Sequence, residues 1–129
     1  MKRLLTLALL LLVVGSAQGQ VGFGSTTPII CPGMNSIRWA PIPSSLQNLT
    51  ISTSVVKLTV PQKAWAAAVS VENNAIRFTS DGTDPAPAGA GTLVTGVATL
   101  TVCTGSLATF KMIRDAADTK VSVQYYGNP

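Results

Sequence analysis

The chain has no histidine among its 129 residues. That removes Ser-His-Asp and Cys-His nucleophile systems and the common histidine-based metal sites. Two cysteines are too few to make a zinc site by themselves. Charged residues make up 11% of the chain and aromatics 5%. The cations Lys57, Lys63, Arg77, Lys111, Arg114 and Lys120 are scattered, without a run and without interleaved aromatics. A nucleic-acid surface needs a dense basic patch, so no nucleic-acid partner is expected. The longest apolar run falls short of the about 20 residues that span a bilayer. No residue is assigned a catalytic, cofactor-binding or metal-ligating role, and no enzyme is expected.

What is present begins with a leader. Lys2 and Arg3 precede an apolar run over residues 4–14, followed by a small, polar stretch with Ala17 and Gly19 at its end. Those three parts make residues 1–19 a secretory signal peptide, so the product is expected to be exported and to meet a membrane only during export. The formal net charge is +4, and removal of the two leader cations leaves +2. An exported chain with an even pair of cysteines is expected to join them, here Cys31 to Cys103.

Residues 20–45 are rich in Gly, Pro, Ser and Thr. Pro28, Pro32, Pro41 and Pro43 rule out a helix and most central-strand positions. Ile37-Arg38-Trp39 can form one short edge strand. The segment reads as a strap across its own domain, pinned by Cys31, or as an arm that docks on a neighbour with Trp39 as its anchor.

Residues 46–129 read as one β domain. Residues 49–60 alternate, but the phase slips between Ile51 and Val56. A one-residue slip flips the buried face, so a bulge or two separate short strands is expected. Residues 65–72 and 75–80 read as a hairpin closed by Asn73-Asn74, since Asn accepts the positive φ of a tight hairpin turn. Its register sets Val71 opposite Ile76, Val69 opposite Phe78 and Ser70 opposite Arg77. Trp65 and Phe78 then face the core and Arg77 the solvent. Further strands are expected near Leu93, over residues 98–103, over 107–114, and at the chain's end, where Val121, Val123 and Tyr125 close the core. The whole reads as an all-β, small antiparallel β-sandwich of about six to eight strands.

The stretch Ile76-Arg77-Phe78-Thr79-Ser80-Asp81-Gly82-Thr83-Asp84-Pro85 joins a strand to a turn. Asp-Gly tolerates positive φ, and proline ends the ladder because it has no N–H. Asp81 and Asp84 have the chemistry of calcium ligands, but further acidic ligands are lacking and turn stabilisation explains them better. As a glycosidase pair they lack a cleft. Of Tyr125 and Tyr126, adjacent on one strand, one packs and the other, Tyr126, is a candidate contact residue together with Trp39. Asn48-Leu49-Thr50 is a glycosylation sequon, meaningful in a eukaryotic secretory pathway.

The turn Asp81-Gly82-Thr83-Asp84-Pro85 behind an Ile-Arg-Phe strand, then residues 107–113, then Val-Ser-Val-Gln-Tyr-Tyr-Gly over 121–127, resembles small β-sandwich accessory structural proteins of tailed phages. The match runs over about residues 57–127 in the same order; the leader and the two cysteines depart from it. The turn also resembles, more weakly, the C-terminal β-sandwich module of chitobiase-like glycoside hydrolases, with Phe110-Lys111-Met112 in the place of its Lys-containing strand. The first resemblance implies a structural or interaction protein, associated with a virion or with an exported assembly, whose partners are other protein subunits. The second implies a secreted accessory module that takes carbohydrate. Neither implies catalysis.

Overall fold

The computed structural model describes residue 31 and residues 40–127. The signal peptide, Trp39 and the short strand expected at residues 37–39 lie outside the described residues. The described chain forms nine strands and one short helix. These are β1 (Ala40–Pro41), β2 (Gln47–Ile51), β3 (Val56–Lys57), β4 (Ala64–Val71), β5 (Ile76–Thr79), β6 (Thr92–Val94), β7 (Ala98–Cys103), α1 (Thr104–Leu107), β8 (Lys111–Arg114) and β9 (Thr119–Gly127).

The pairing follows a simple rule. β2 pairs with β9, β3 with β8, β4 with β7 and β5 with β6, all antiparallel. The chain is thus one long two-stranded ribbon, folded back on itself at residues 80–91. Two further pairings, β4 with β9 and β5 with β8, roll the ribbon into two sheets. One has the order β1-β9-β4-β7, with β2 also on β9; the other is β3-β8-β5-β6. This is jelly-roll order, one of the ways an antiparallel fold disposes of most of its edges. Two sheets faced across a shared core make the antiparallel sandwich expected from the alternating runs.

Period-two patterning explains which side chains meet. Ala67, Val69 and Val71 of β4 lie beside Tyr125, Val123 and Val121 of β9, all buried. Across the core stand Ile76, Met112 and Phe110, while Phe78 stacks on Phe110 with ring centroids 5.2 Å apart. The phase slip in residues 49–60 resolves as two strands, β2 and β3, which sit in different sheets. Residues 98–103 form the expected strand, with Val102 buried and Thr99 and Thr101 exposed.

Several expectations fail. Residues 65–72 and 75–80 are not a hairpin: β4 belongs to one sheet and β5 to the other. Facing each other across the core buries the same apolar side chains as pairing side by side. The Asn73-Asn74 step crosses between the layers instead. Asn73 Oδ1 accepts from the Lys120 N–H at 2.8 Å, and Asn74 Nδ2 donates to the Asp118 carbonyl at 2.8 Å. Ser70 therefore lies opposite Thr99 and Ser122, with its hydroxyl 3.0 Å from that of Thr99.

Trp65 is not in the core but 45% exposed. Ala64 and Ala66 pair with consecutive residues of β9, so Trp65 is the extra residue of a β-bulge and leaves the inward phase. The strand expected over 107–114 begins only at Lys111. Before it, α1 and a turn closed by the Thr109 N–H on the Ser106 carbonyl carry Leu107 and Phe110 into the core. Arg77 does not stand free in solvent; its side chain is 17% exposed and ion-paired.

Candidate functional site

The Asp-Gly-Thr-Asp-Pro turn sits at the fold-back of the ribbon. Gly82 takes φ +90°, the left-handed region that the Asp-Gly step predicts. Asp81 Oδ1 accepts from the Thr83 N–H at 3.0 Å and from the Thr83 hydroxyl at 2.7 Å. The Thr83 bonds hold the Asp81 carboxyl below its ordinary range. The Thr79 hydroxyl donates to the Thr83 carbonyl, and the Thr109 hydroxyl to the Ser80 carbonyl at 2.6 Å. Pro85 is buried. Asp84 reaches Lys111 Nζ on β8 at 2.5 Å. The two aspartates thus serve the turn and its attachment to the sheet, with separate partners.

Residues 80–91 then fold back along the outer face of the four-stranded sheet, where Arg77 anchors them. Arg77 Nε donates to Asp115 Oδ1 at 2.6 Å, and its Nη1 donates to the carbonyls of Gly89 at 2.9 Å and Gly91 at 3.3 Å. Asp115 Oδ1 also accepts from the Ala88 N–H at 3.1 Å. Ala88 has a positive φ of 49°. The bond from the Arg77 side chain keeps the Asp115 carboxyl below its ordinary range. Arg77 and Asp115 lie 38 residues apart. No local spacing signals their contact; only the β5–β8 pairing, which sets Arg77 opposite Ile113, brings them together.

Of the remaining candidate residues, the described ones, Cys31, Cys103 and Tyr126, gather at one end of the five-stranded sheet. Cys31 and Cys103 are joined across 72 residues of chain, with their Cα atoms 5.7 Å apart. In register, Cys103 lies beside Ala66, and Ala66 beside Tyr126. These three alternate with the core-facing residues, so they belong to the outer face. Ala66 and Cys31 are nonetheless buried there, so Cys31 is held against the sheet. Tyr125 is the packed tyrosine, and its hydroxyl donates to Gln47 Oε1 at 3.3 Å. Tyr126 is half-buried, and the bulged Trp65 stands next to it in sequence register.

An open hollow of about 390 Å³ lies along β2 and β9, lined by Asn48, Leu49, Thr50, Glu72, Lys120 and Val121. It contains one carboxylate, one ammonium and no aromatic ring. Among the described residues, no three His, Cys, Asp or Glu side chains are placed to hold a metal ion. None of their buried side-chain polar atoms lacks a hydrogen-bond partner. The described surface includes strand edges, a hydroxyl-rich outer face on β4, β7 and β9, and an anchored loop. No family model, curated protein or solved structure matches the chain.

Proposed function

We propose that this protein is a non-catalytic structural or interaction component of an assembly, either an accessory protein of a phage virion or an exported assembly protein. The observation that carries the reading is how the carboxylates of the loop region are used. Asp81 bonds Thr83, Asp84 pairs with Lys111, and Asp115 holds Arg77 and Ala88. A general acid or base needs a carboxyl aimed at a cleft and set apart in environment from its partner group; these are tied to the protein's own turns. The jelly-roll order supports the reading at the level of fold, since viral capsid domains share it. Fold alone does not fix function, so the weight rests on the side chains. The Cys31–Cys103 bridge supports export to an oxidising compartment.

A second reading draws on Trp65. Its exposure returns an aromatic ring to the surface beside Tyr126, and lectin domains also use jelly rolls. An exposed ring can stack on a sugar, so the second reading is a secreted carbohydrate-binding accessory module.

Mass spectrometry of purified particles, envelope and culture medium from the source, beside a binding panel of chitin-like and other glycans, separates the two. Recovery in a particle or surface fraction at stoichiometric levels, with no saturable glycan binding, is the expected result. Saturable binding that disappears in Trp65→Ala, with absence from every particle, would establish the carbohydrate module instead.

A further inference from the structure

We infer that the edge of β7 away from β4 pairs with the same edge of a second copy, antiparallel about a two-fold axis. The contact extends the sheet β2-β9-β4-β7 continuously into its partner. This rests on the assembly reading and names the surface and the partner.

Among the described residues, β7 has a strand on one side only. Its register with β4 runs unbroken from Ala66↔Cys103 to Val71↔Ala98. In such a ladder alternate residues direct their N–H and C=O away from the neighbour. Among the described residues, no further backbone group bonds to that outward side. A strand edge left this way is a template for another strand unless something blunts it.

The edges of the other sheet are blunted and that of β7 is not. β3 is two residues long and carries Lys57; β6 is three residues long. β7 has six residues, Ala-Thr-Leu-Thr-Val-Cys, without a charge, a proline, a bulge or a positive φ. Its pattern is also self-complementary. Antiparallel pairing centred on Leu100 sets Thr99 against Thr101 on the outer face. On the inner face it sets Leu100 against Leu100 and Val102 against Ala98. Leu100, half-buried at the rim of the core, gains a cover. So does Val97, which is 84% exposed immediately before the strand.

The remaining neutral edge is β2, five residues long. Pairing of β7 with β2 of another copy would be head-to-tail and would grow an open filament. β7 on β7 closes, and it is the arrangement in which apolar and hydroxyl positions match on both faces.

The test is sedimentation equilibrium of the full chain with its bridge intact, from micromolar to millimolar concentration. A reversible monomer–dimer equilibrium is expected. Thr101→Lys places one lysine from each copy on diagonal positions about the two-fold, within reach of each other on an exposed face, and should weaken the dimer by about tenfold or more. Circular dichroism and the melting temperature should stay unchanged, which shows that the variant folds. Thr50→Lys, on β2, should leave the dimer intact. A monomer at every concentration overturns the inference, as does a dimer indifferent to Thr101→Lys. Open-ended oligomers lost with either substitution establish head-to-tail pairing and overturn it too. A monomer that is still recovered in particles or surface fractions removes this inference and leaves the assembly reading. A dimer absent from all such fractions does the reverse.

Discussion

Arg77 and Phe78 are adjacent and serve opposite faces of one strand. Phe78 stacks on Phe110, so Phe78→Ala should cost about 3 kcal/mol in chemical denaturation. Arg77→Ala should cost more than the about 0.5 kcal/mol of an ordinary surface change, because Asp115 and two loop carbonyls lose their donor. An Arg77→Ala loss within that limit would show that the anchoring contributes nothing. Asp115 sets an acid limit. Its folded carboxyl lies below the ordinary value, so its contribution is present above the unfolded value, about 3.9. It is lost as pH falls through the folded one. Asp115→Asn should flatten the acid side of a plot of melting temperature against pH; an unchanged slope would contradict this. Tyr125 sets the alkaline limit. Burial pushes its phenol up to about 12. The stability linked to it is full below the unfolded value of about 10 and is lost as pH rises through about 12. Tyr125→Phe should remove that alkaline loss, which spectrophotometric titration alongside unfolding would record.

At the scale of elements, the fold-back of residues 80–91 depends on glycine where the chain turns under itself. Gly91 has φ +109°, and a Cβ there would stand 3.0 Å from the Phe78 carbonyl oxygen and 3.1 Å from Pro85 Cβ. Gly91→Ala should therefore destabilise by about 1–3 kcal/mol and raise amide exchange first at Ala88, whose N–H meets Asp115. Protection at Ala88 equal to that of the unsubstituted protein would refute the link. The strands themselves were largely legible. Residues 49–60 announced their split through a phase slip, and residues 98–103 announced their faces by alternation. The partner of each strand was not legible. Val71 and Ile76 have the same inward phase whether β4 and β5 lie side by side or face to face. The decision comes from Asn73 and Asn74, whose side chains bond residues near 118–120. That contact exists only after β9 is in place.

At the scale of the whole molecule, most connections pass from one sheet to the other, so few contacts are local and the rolled ribbon must form as a unit. The Cys31–Cys103 bridge closes a loop of 72 residues. Its loss should cost about 4 kcal/mol by loop-closure entropy, an upper figure because the unfolded chain keeps residual structure. Cys31→Ser with Cys103→Ser, compared with the oxidised protein by denaturant unfolding, measures it; equal midpoints would mean the bridge constrains nothing. The bridge ties Cys31 to the last residue of β7, on the outer face of the five-stranded sheet.

From residue order alone came the all-β class, the inward set Val69, Val71, Ile76, Val121, Val123 and Tyr125, the turn at Asp81–Gly82 and the pairing of the only two cysteines. Each depends on local stereochemistry or on arithmetic: period-two alternation sets the face of a strand, positive φ selects glycine, and two thiols allow one bond. The tertiary structure alone decided that the ribbon rolls and does not stack as hairpins. It also decided that Trp65 bulges outward, that Arg77 finds Asp115, and that β7 pairs on one side only among the described residues. Those outcomes depend on which strands become neighbours. Burial is indifferent to that choice, because an apolar side chain is covered equally well from beside or from across, so the choice falls to a few directional contacts between residues far apart in the chain.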